Sequence, residues 1–478
     1  MKPTRLALLA LSLSIAANTA NAESLRDIYE LALENDAQLK AEQAQYRANL
    51  ENENLGRAAL LPQINASYDY SSSDQDRTGE SVGITEDGTF GRFDTFTNTD
   101  TDTDGYQVSL NQAIFDLPAW FTFQSGKEFT RQAEATFAAN QQNLIVRVVE
   151  AYLGVLRAQD NLAASKAAER AFERQLEQTQ QRFEVGLIAI TDVYEAQAAY
   201  DLSRVNRIVD ENNVSVALET LSVLTGQHHD TLDVLSANFD VKTPEPMDRS
   251  AWVDFALQNN FNLQAARYAE EVARNSAKAN KFEHAPKVVG SYAYSDYSTD
   301  GELTRRPSTE FDTSPDNDTE LSQWQISLQV PLFSGGAVSA NRRQAAEQFN
   351  ASRENRINLA RNTVTNTRSL HMTVVSDVSR VAARKQSIVS SRSALDATQA
   401  GYEVGTRNVV DVLNAQNTLF AAQRDYANSR YDYVLDMLRL KEQAGLLSPE
   451  DVYRLDEALE EPPAPTASTT GTTGSSTP

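Results

Sequence analysis

Apolar residues in the first half of the chain recur at alternating spacings of three and four. One stripe consists of Leu144, Val148, Ala151, Val155, Ala158 and Leu162, and a second beside it of Ile145, Val149, Tyr152 and Leu156. This spacing predicts an amphipathic α-helix. Two adjacent stripes favour a helix with a neighbour on each side, as in a ring of helices, although a helix buried in a bundle core shows the same pattern. From Pro118 to Arg182 such a helix would be roughly 98 Å long, which favours the ring.

Proline placement points to helices over much longer stretches. No proline lies between Pro118 and Pro244, or between Pro331 and Pro449. Proline breaks helix interiors, and both intervals are rich in Ala, Gln, Leu, Arg and Glu, which favour helix. We therefore predict long helices in both intervals.

Period-two alternation occurs in other parts of the chain. The alternating positions are Ile64, Ala66, Tyr68 and Tyr70, then Val288, Gly290, Tyr292 and Tyr294, and finally Ile326, Leu328 and Val330. Alternation with aromatic residues near the ends predicts strands and is typical of lipid-facing ones. A soluble sandwich is the alternative, but four strands would build a weak one. Residues 72–105 and 296–322 are acidic and rich in Asp, Thr, Ser and Gly, which predicts long solvent loops.

The chain contains an internal repeat. The segment 32–35 resembles 256–259, 106–110 resembles 324–328, and 184–186 matches 403–405. We predict a first structural repeat over 23–226 and a second over 250–445, each read as helix, strand, loop, strand, long helix, helix. A linker at 227–249 joins them. A short segment, 446–460, follows, and the Pro-, Thr-, Ser- and Gly-rich residues 461–478 are expected to form a disordered tail.

Residues 1–22 have the pattern of a secretory signal. Lys2 and Arg5 precede an apolar run from Leu6 to Ala17, and Ala20-Asn21-Ala22 is a small-residue cleavage site. The mature chain would begin at Glu23; a retained N-terminal anchor is the alternative. No other stretch reaches the roughly 18–20 apolar residues of a spanning helix, so a membrane location would require a closed barrel of strands.

Composition narrows the chemistry. The chain has no cysteine, which excludes thiol catalysis and thiolate metal sites. Its net charge of -23 argues against nucleic acid or anionic lipid as the partner. We find no phosphate-binding glycine loop, nucleophile elbow or metal cluster, so the chain is expected to be neither an enzyme nor a cofactor-binding protein. The pair His228-His229 is expected at a solvated helix end.

Four amphipathic strands cannot close a barrel alone. Three copies of the chain would supply twelve strands, and the same three-fold axis would arrange the long helices in a ring. The repeat and the strand count thus predict a homotrimer.

Two segments carry a closer resemblance. Residues 181–193 (QRFEVGLIAITDV) and 401–413 (GYEVGTRNVVDVL), together with 331–336 (PLFSGG), resemble the TolC family of outer-membrane efflux and type I secretion channels. The resemblance covers nearly the whole mature chain and excludes only the predicted loops and tail. It implies an α+β membrane protein in which a trimer forms a 12-stranded β-barrel, continued by a long α-helical barrel in the periplasm. Segments 227–249 and 446–460 would lie at the equator of that tunnel.

The function implied by the resemblance is an exit duct. It would carry substrates from inner-membrane pumps, of the RND or ABC type, across the periplasm and the outer membrane through a periplasmic adaptor. A periplasmic coiled-coil protein without a pore is the alternative, and outer-membrane lipid would surround the strands. Use of the predicted loops by a phage or colicin as a receptor is a weaker third possibility.

Gly186 and Gly405 are expected to end one helix in a tight turn, after which Thr191, Asp192 and Asp411 begin the next. A carboxylate in a first helical turn by itself indicates only an interaction with the helix dipole. The resemblance implies that the helical hairpins open like an iris, and that Tyr402 and Arg407 hold Asp192 and Thr191, within a protomer or across to its neighbour.

The resemblance also implies a constriction and a docking surface. Two carboxylate rings are expected at the constriction, where this chain has Asp411 but Asn414, so weaker block by multivalent cations is expected. The adaptor would dock at the hairpin tips, on Gly186, Leu187, Gly405 and Thr406.

Overall fold

A computed structural model describes residues 22–84, 88–306 and 314–462. The first half contains α1 (Leu25–Asn35), α2 (Ala37–Ala58), β1 (Gln63–Ile84), β2 (Phe90–Phe115), α3 (Leu117–Glu184), α4 (Ile190–Thr225) and β3 (Val234–Leu235). The second contains α5 (Arg249–Asn259), α6 (Phe261–Lys281), β4 (Lys287–Arg306), β5 (Asn317–Gln329), α7 (Ala337–Glu403), α8 (Val409–Gln443), α9 (Pro449–Asp456) and β6 (Leu459–Glu460). Two helices, two strands, a long helix and a further helix occur in that order twice. Nearly all of the predicted signal segment, 1–21, and nearly all of the predicted tail, 463–478, lie outside the described residues.

The predicted long helices are confirmed. Helix α3 has 68 residues and α7 has 67. Both predicted stripes on α3 lie in the core, where Leu144, Val148 and Val155 of the first and Val149 and Tyr152 of the second are fully buried. One helix therefore packs on two sides within a single protomer.

The described chain forms two compact units. The first comprises residues up to 45, 136–263 and 359 onwards. Its core joins Leu25 and Ile28 of α1 to the stripes of α3 and to Leu438 and Leu440 of α8. The buried Tyr152 hydroxyl donates to the Asp233 carbonyl at 2.8 Å, which satisfies the one polar atom of a large core side chain.

The second unit comprises 46–135 and 264–358 and contains an antiparallel sheet in the order β1-β2-β4-β5. The predicted number of strands is confirmed. Strand β2 pairs with β1 from Phe90 to Asn111 and with β4 from Phe96 to Phe115, with a bulge between Ala113 and Phe115. The outer strands β1 and β5 have exposed side chains on both faces along most or all of their length.

The prediction of long loops at 72–105 and 296–322 is wrong. β1 and β2 continue through the first segment, and β4 and β5 through most of the second. Their polar side chains pair across strands: Asn98 donates to Asp74 at 2.6 Å, and Ser298 to Asp318 at 2.6 Å. Cross-strand polar pairs stabilise a sheet without apolar burial, so an acidic, Thr-rich composition did not indicate a loop here.

The prediction of a solvated histidine pair is wrong for one member. Helix α4 ends at Thr225, with Gly226 as its cap. The His228 side chain is 65% exposed, whereas His229 is completely buried. Its imidazole contacts the Thr225 hydroxyl at 2.6 Å and the Glu23 carboxylate. Among the described residues, no helix has the length and apolarity needed to cross a membrane.

Candidate functional site

Two short turns end the long helices. Helix α3 gives way to α4 through Gly186, with φ of 74°, and α7 to α8 through Gly405, with φ of 79°. The Leu187 amide donates back to the Arg182 carbonyl, and the Thr406 amide to the Gly401 carbonyl. Both glycines were predicted to close helices in a tight turn, and this is confirmed; a side chain there would be strained. We call the two α-helical hairpins, α3–α4 and α7–α8, the tip hairpins.

The helices that follow the turns begin as predicted. Thr191 and Asp192 lie in the first turn of α4, and Asp411 in the first turn of α8. Asn408 and Asp411 form a capping box: the Asn408 side chain accepts from the Asp411 amide at 2.8 Å, and the Asp411 carboxylate from the Asn408 amide at 3.4 Å. This box satisfies two backbone donors at the start of α8.

A small apolar cluster joins the tip hairpins. Its buried members are Phe172 of α3, Tyr402 of α7, and Val409, Val412 and Leu413 of α8. Ala199 and Tyr200 of α4 pack against them. All four helices therefore contribute to one core near the turns, which lets one hairpin influence the position of the other.

Arg182 makes a contact that sequence reasoning did not single out. Its guanidinium lies 4.5 Å from the centroid of the Tyr402 ring and donates to the Tyr402 carbonyl at 3.4 Å. An arginine over an aromatic face is attracted by the ring quadrupole. The only sign of this contact in the sequence is that Arg182 is a cation in the last turn of α3. By itself, such a cation indicates only a favourable interaction with the helix dipole.

The single protomer does not bring the predicted gate residues together as pairs. Among the described residues, no hydrogen bond or ion pair joins Tyr402 or Arg407 to Thr191 or Asp192. Arg407 lies 3.8 Å from the Asp411 carboxylate on its own hairpin. The Tyr402 hydroxyl is buried and has no hydrogen-bond partner in the described chain. A buried unpaired hydroxyl costs about 1–3 kcal/mol of stability. A hydrogen-bond partner for this hydroxyl would therefore stabilise the protein.

The two predicted constriction residues share a helical face. Asp411 and Asn414 lie three positions apart on α8, where side chains are neighbours. The Asp411 side chain is 37% exposed, and Asn414 is exposed. The Asp411 carboxylate caps α8 and also reaches solvent. In the part of the chain that the structure describes, no group of His, Asp or Glu is arranged to hold a metal ion.

Comparison with known proteins identifies the family. Residues 28–227 and 252–446 match the model of the family described as outer membrane efflux protein. The chain belongs to the outer membrane efflux protein family. It is 34% identical over 440 residues to outer membrane protein TolC of Vibrio cholerae serotype O1, which covers 92% of this chain and 94% of that protein.

Further relatives agree. Alkaline protease secretion protein AprF of Pseudomonas aeruginosa is 32% identical, covering 91% of this chain and 86% of that protein. The crystal structure of the Campylobacter jejuni CmeC outer membrane channel shares the fold, with a TM-score of 0.71 at 15% identity, covering 92% of this chain and 90% of that one. This efflux protein is an outer-membrane exit duct for efflux and type I secretion, with its helical tunnel in the periplasm. Its relatives are channels and secretion components rather than enzymes, and a periplasmic protein without a pore is not supported.

Proposed function

We propose that three copies of the chain assemble the duct and that the tip hairpins gate it. The free edges of β1 and β5 support the trimer, because three four-stranded sheets joined edge to edge would close twelve strands. Exposed apolar residues along β5, Trp324, Ile326 and Leu328, are 62–76% exposed and share one face, as lipid-facing residues do.

The observation that carries the gating proposal is the buried Tyr402 hydroxyl without a partner. Asp192 is half-buried in the first turn of α4, and in the proposed closed state its carboxylate accepts a hydrogen bond from this hydroxyl. Arg407 is 61% exposed and lies 3.8 Å from the Asp411 carboxylate; in the proposed closed state it contacts Thr191 or Asp192, within a protomer or across to its neighbour. Charge-assisted hydrogen bonds contribute about 1.5–3 kcal/mol each, and three-fold repetition would favour a closed state that a partner must overcome.

We infer the partners of the duct from the family to which the chain belongs. An inner-membrane pump, of the RND or ABC type, would supply the substrate, and a periplasmic adaptor would dock on Gly186, Leu187, Gly405 and Thr406. Exposed apolar side chains at both turns support this surface, with Leu187 72% and Val404 75% exposed. Exposed apolar residues that form a contiguous patch are typical of a binding surface.

Single-channel conductance tests the gate. In planar bilayers, Arg407→Ser with Tyr402→Phe should raise conductance severalfold, because it removes both donors of the proposed links. Arg392→Gln is the control: it removes an exposed positive charge from α7, the helix that carries Tyr402, away from the tip, and should leave conductance unchanged. Equal conductance in the double variant and the wild type would exclude this gate while leaving the duct itself intact.

A further inference from the structure

A basic groove lies between α6 and α7 in the unit that contains the sheet. Its cavity of about 500 Å³ is lined by Arg274, Ala277, Lys278, Lys281, Arg342, Arg343, Ala346 and Phe349. Five of these residues are cations and none is acidic. The volume falls within the range of small-ligand sites.

The groove has an ordered framework. Its residues recur at three, four and seven positions along one face of each helix, as a shared helical surface requires. The Arg274 guanidinium lies 5.5 Å from the centroid of the Phe349 ring and therefore links the two helices across an apolar floor. Arg274 is itself neutralised by Glu271, at 2.6 Å, and by Glu270.

The other four cations have no acidic partner. Within 22–84, 88–306 and 314–462, no hydrogen bond or ion pair joins the side chain of Lys278, Lys281, Arg342 or Arg343 to another protein group. The two lysines lie 5.6 and 5.8 Å from the rings of Phe121 and Phe282, contacts that orient an ammonium but leave its charge uncompensated. In a chain of net charge -23, such a cluster is a local field opposite in sign to the whole.

The position of the groove favours one kind of ligand. Exposed apolar residues follow β5 and the segment after it, where Leu332 is 88% and Phe333 84% exposed. Arg342 and Arg343 follow along the chain, within the first two turns of α7. Apolar residues that give way to arginine and lysine are typical of the boundary between hydrocarbon and headgroups. The net charge of the chain argues against binding of anionic lipid by the molecule as a whole. At this groove, however, the cluster of unpaired cations makes the local electrostatic potential positive.

We propose that this groove binds the phosphate of an anionic phospholipid headgroup, with the guanidinium groups of Arg342 and Arg343 as its main ligands. Arginine presents paired donors that match phosphate oxygens, and the apolar floor would contact the upper part of the acyl chains. This proposal depends on the outer-membrane location of the chain and does not depend on the proposed gate.

Native mass spectrometry of the full duct in detergent tests the site. With phosphatidylglycerol and phosphatidylcholine at equal concentration, the wild type should retain phosphatidylglycerol preferentially. Arg342→Gln with Arg343→Gln should lower that retention roughly tenfold or more and leave phosphatidylcholine unchanged. Arg342→Lys with Arg343→Lys keeps the charge but loses the paired donors of the guanidinium groups, so it should retain more phosphatidylglycerol than the glutamine variant and less than the wild type. Lys385→Gln with Arg392→Gln removes two exposed cations from the same helix outside the groove and should have no effect.

Three results would overturn the proposal. One is equal phosphatidylglycerol retention in the wild type and the arginine-to-glutamine variant. Another is displacement of the lipid by excess inorganic phosphate alone, which would make the groove a site for free phosphate. The third is loss of the oligomer in the same spectra without a change in lipid preference, which would mean that the arginines bind acidic groups of a second copy.

Discussion

At the scale of single residues, burial of polar groups distinguishes neighbours that look alike in sequence. His228 and His229 are adjacent, yet only His229 is enclosed, where it bridges Thr225 and Glu23. This contact ties the start of the predicted mature chain to the end of α4. Sequence alone could not separate the two, because the enclosing residue lies about 200 positions away.

We expect His229→Ala to lower the free energy of unfolding by about 2–4 kcal/mol, since it removes a buried side chain and leaves its partners unpaired. Guanidinium unfolding in detergent, followed by helical circular dichroism, measures the change. His228→Ala, at the exposed neighbour, should stay within about 0.5 kcal/mol. Similar effects of the two substitutions would contradict the contact.

Asp377 provides a second prediction at this scale. Burial raises its pKa to about 6; Arg380 partly opposes the shift, and the neighbouring carboxyl groups Asp436 and Asp432 add to it. The folded chain therefore binds this proton more tightly than the unfolded chain, whose aspartates titrate near pH 4. The contribution of Asp377 to stability should fall as the pH rises from about 4 to about 6 and then level off.

Asp377→Asn removes this titration. The stability of the variant relative to the wild type should increase with pH across that window and be constant above it. Thermal unfolding at a series of pH values measures the difference. A difference that does not vary with pH would show that Asp377 has the same pKa in the folded and unfolded states.

At the scale of elements, the tip turns and the strands contrast in how well the sequence predicted them. The Gly186 and Gly405 turns and the first-turn carboxylates follow from local rules, and the structure confirms them. The polar ends of the strands do not follow from local rules, because the hydrogen-bond partners of their side chains lie on other strands. The gate pairs and the predicted domain boundaries stay predictions.

A pair of glycine substitutions tests the turn. Gly405→Ala should destabilise the α7–α8 hairpin by about 1 kcal/mol, because φ of 79° is unfavourable for alanine. Gly154 lies inside α3, and a Cβ there would meet no atom within 4 Å. Gly154→Ala should therefore be neutral or stabilising, by up to about 1 kcal/mol. Differential scanning calorimetry compares them, and equal destabilisation by both would argue against a strained turn at Gly405.

At the scale of the whole molecule, the proposed constriction combines one carboxylate per chain with three-fold symmetry. Three Asp411 side chains near one axis would attract cations and repel anions. Each carboxylate also caps α8 and lies near Arg407, so part of its charge is engaged within the protein. The repeat and the strand count predicted the three-fold symmetry, and the family resemblance implied the constriction, whereas the pairing of Asp411 with Asn408 became visible only in the structure.

Asn414→Asp should strengthen the block of the channel by multivalent cations, because it adds a second ring of carboxylates one turn along α8. Bilayer currents titrated with a trivalent cation measure the blocking concentration, which should fall severalfold. Asn417→Asp adds the same charge to an exposed position further along α8 and serves as the control. Unchanged block in Asn414→Asp would place residue 414 away from the constriction.

The unequal lengths of the strands have a practical consequence for antibodies raised against this protein. Strand β1 has 22 residues and β5 has 13. Residues of β2 from Phe90 to Thr95 pair with β1 and with no described residue of β4, and Val82, Ile84 and Phe90 are exposed near this end of the two strands. An antibody raised against the paired ends of β1 and β2 would therefore recognise an epitope that includes exposed apolar side chains.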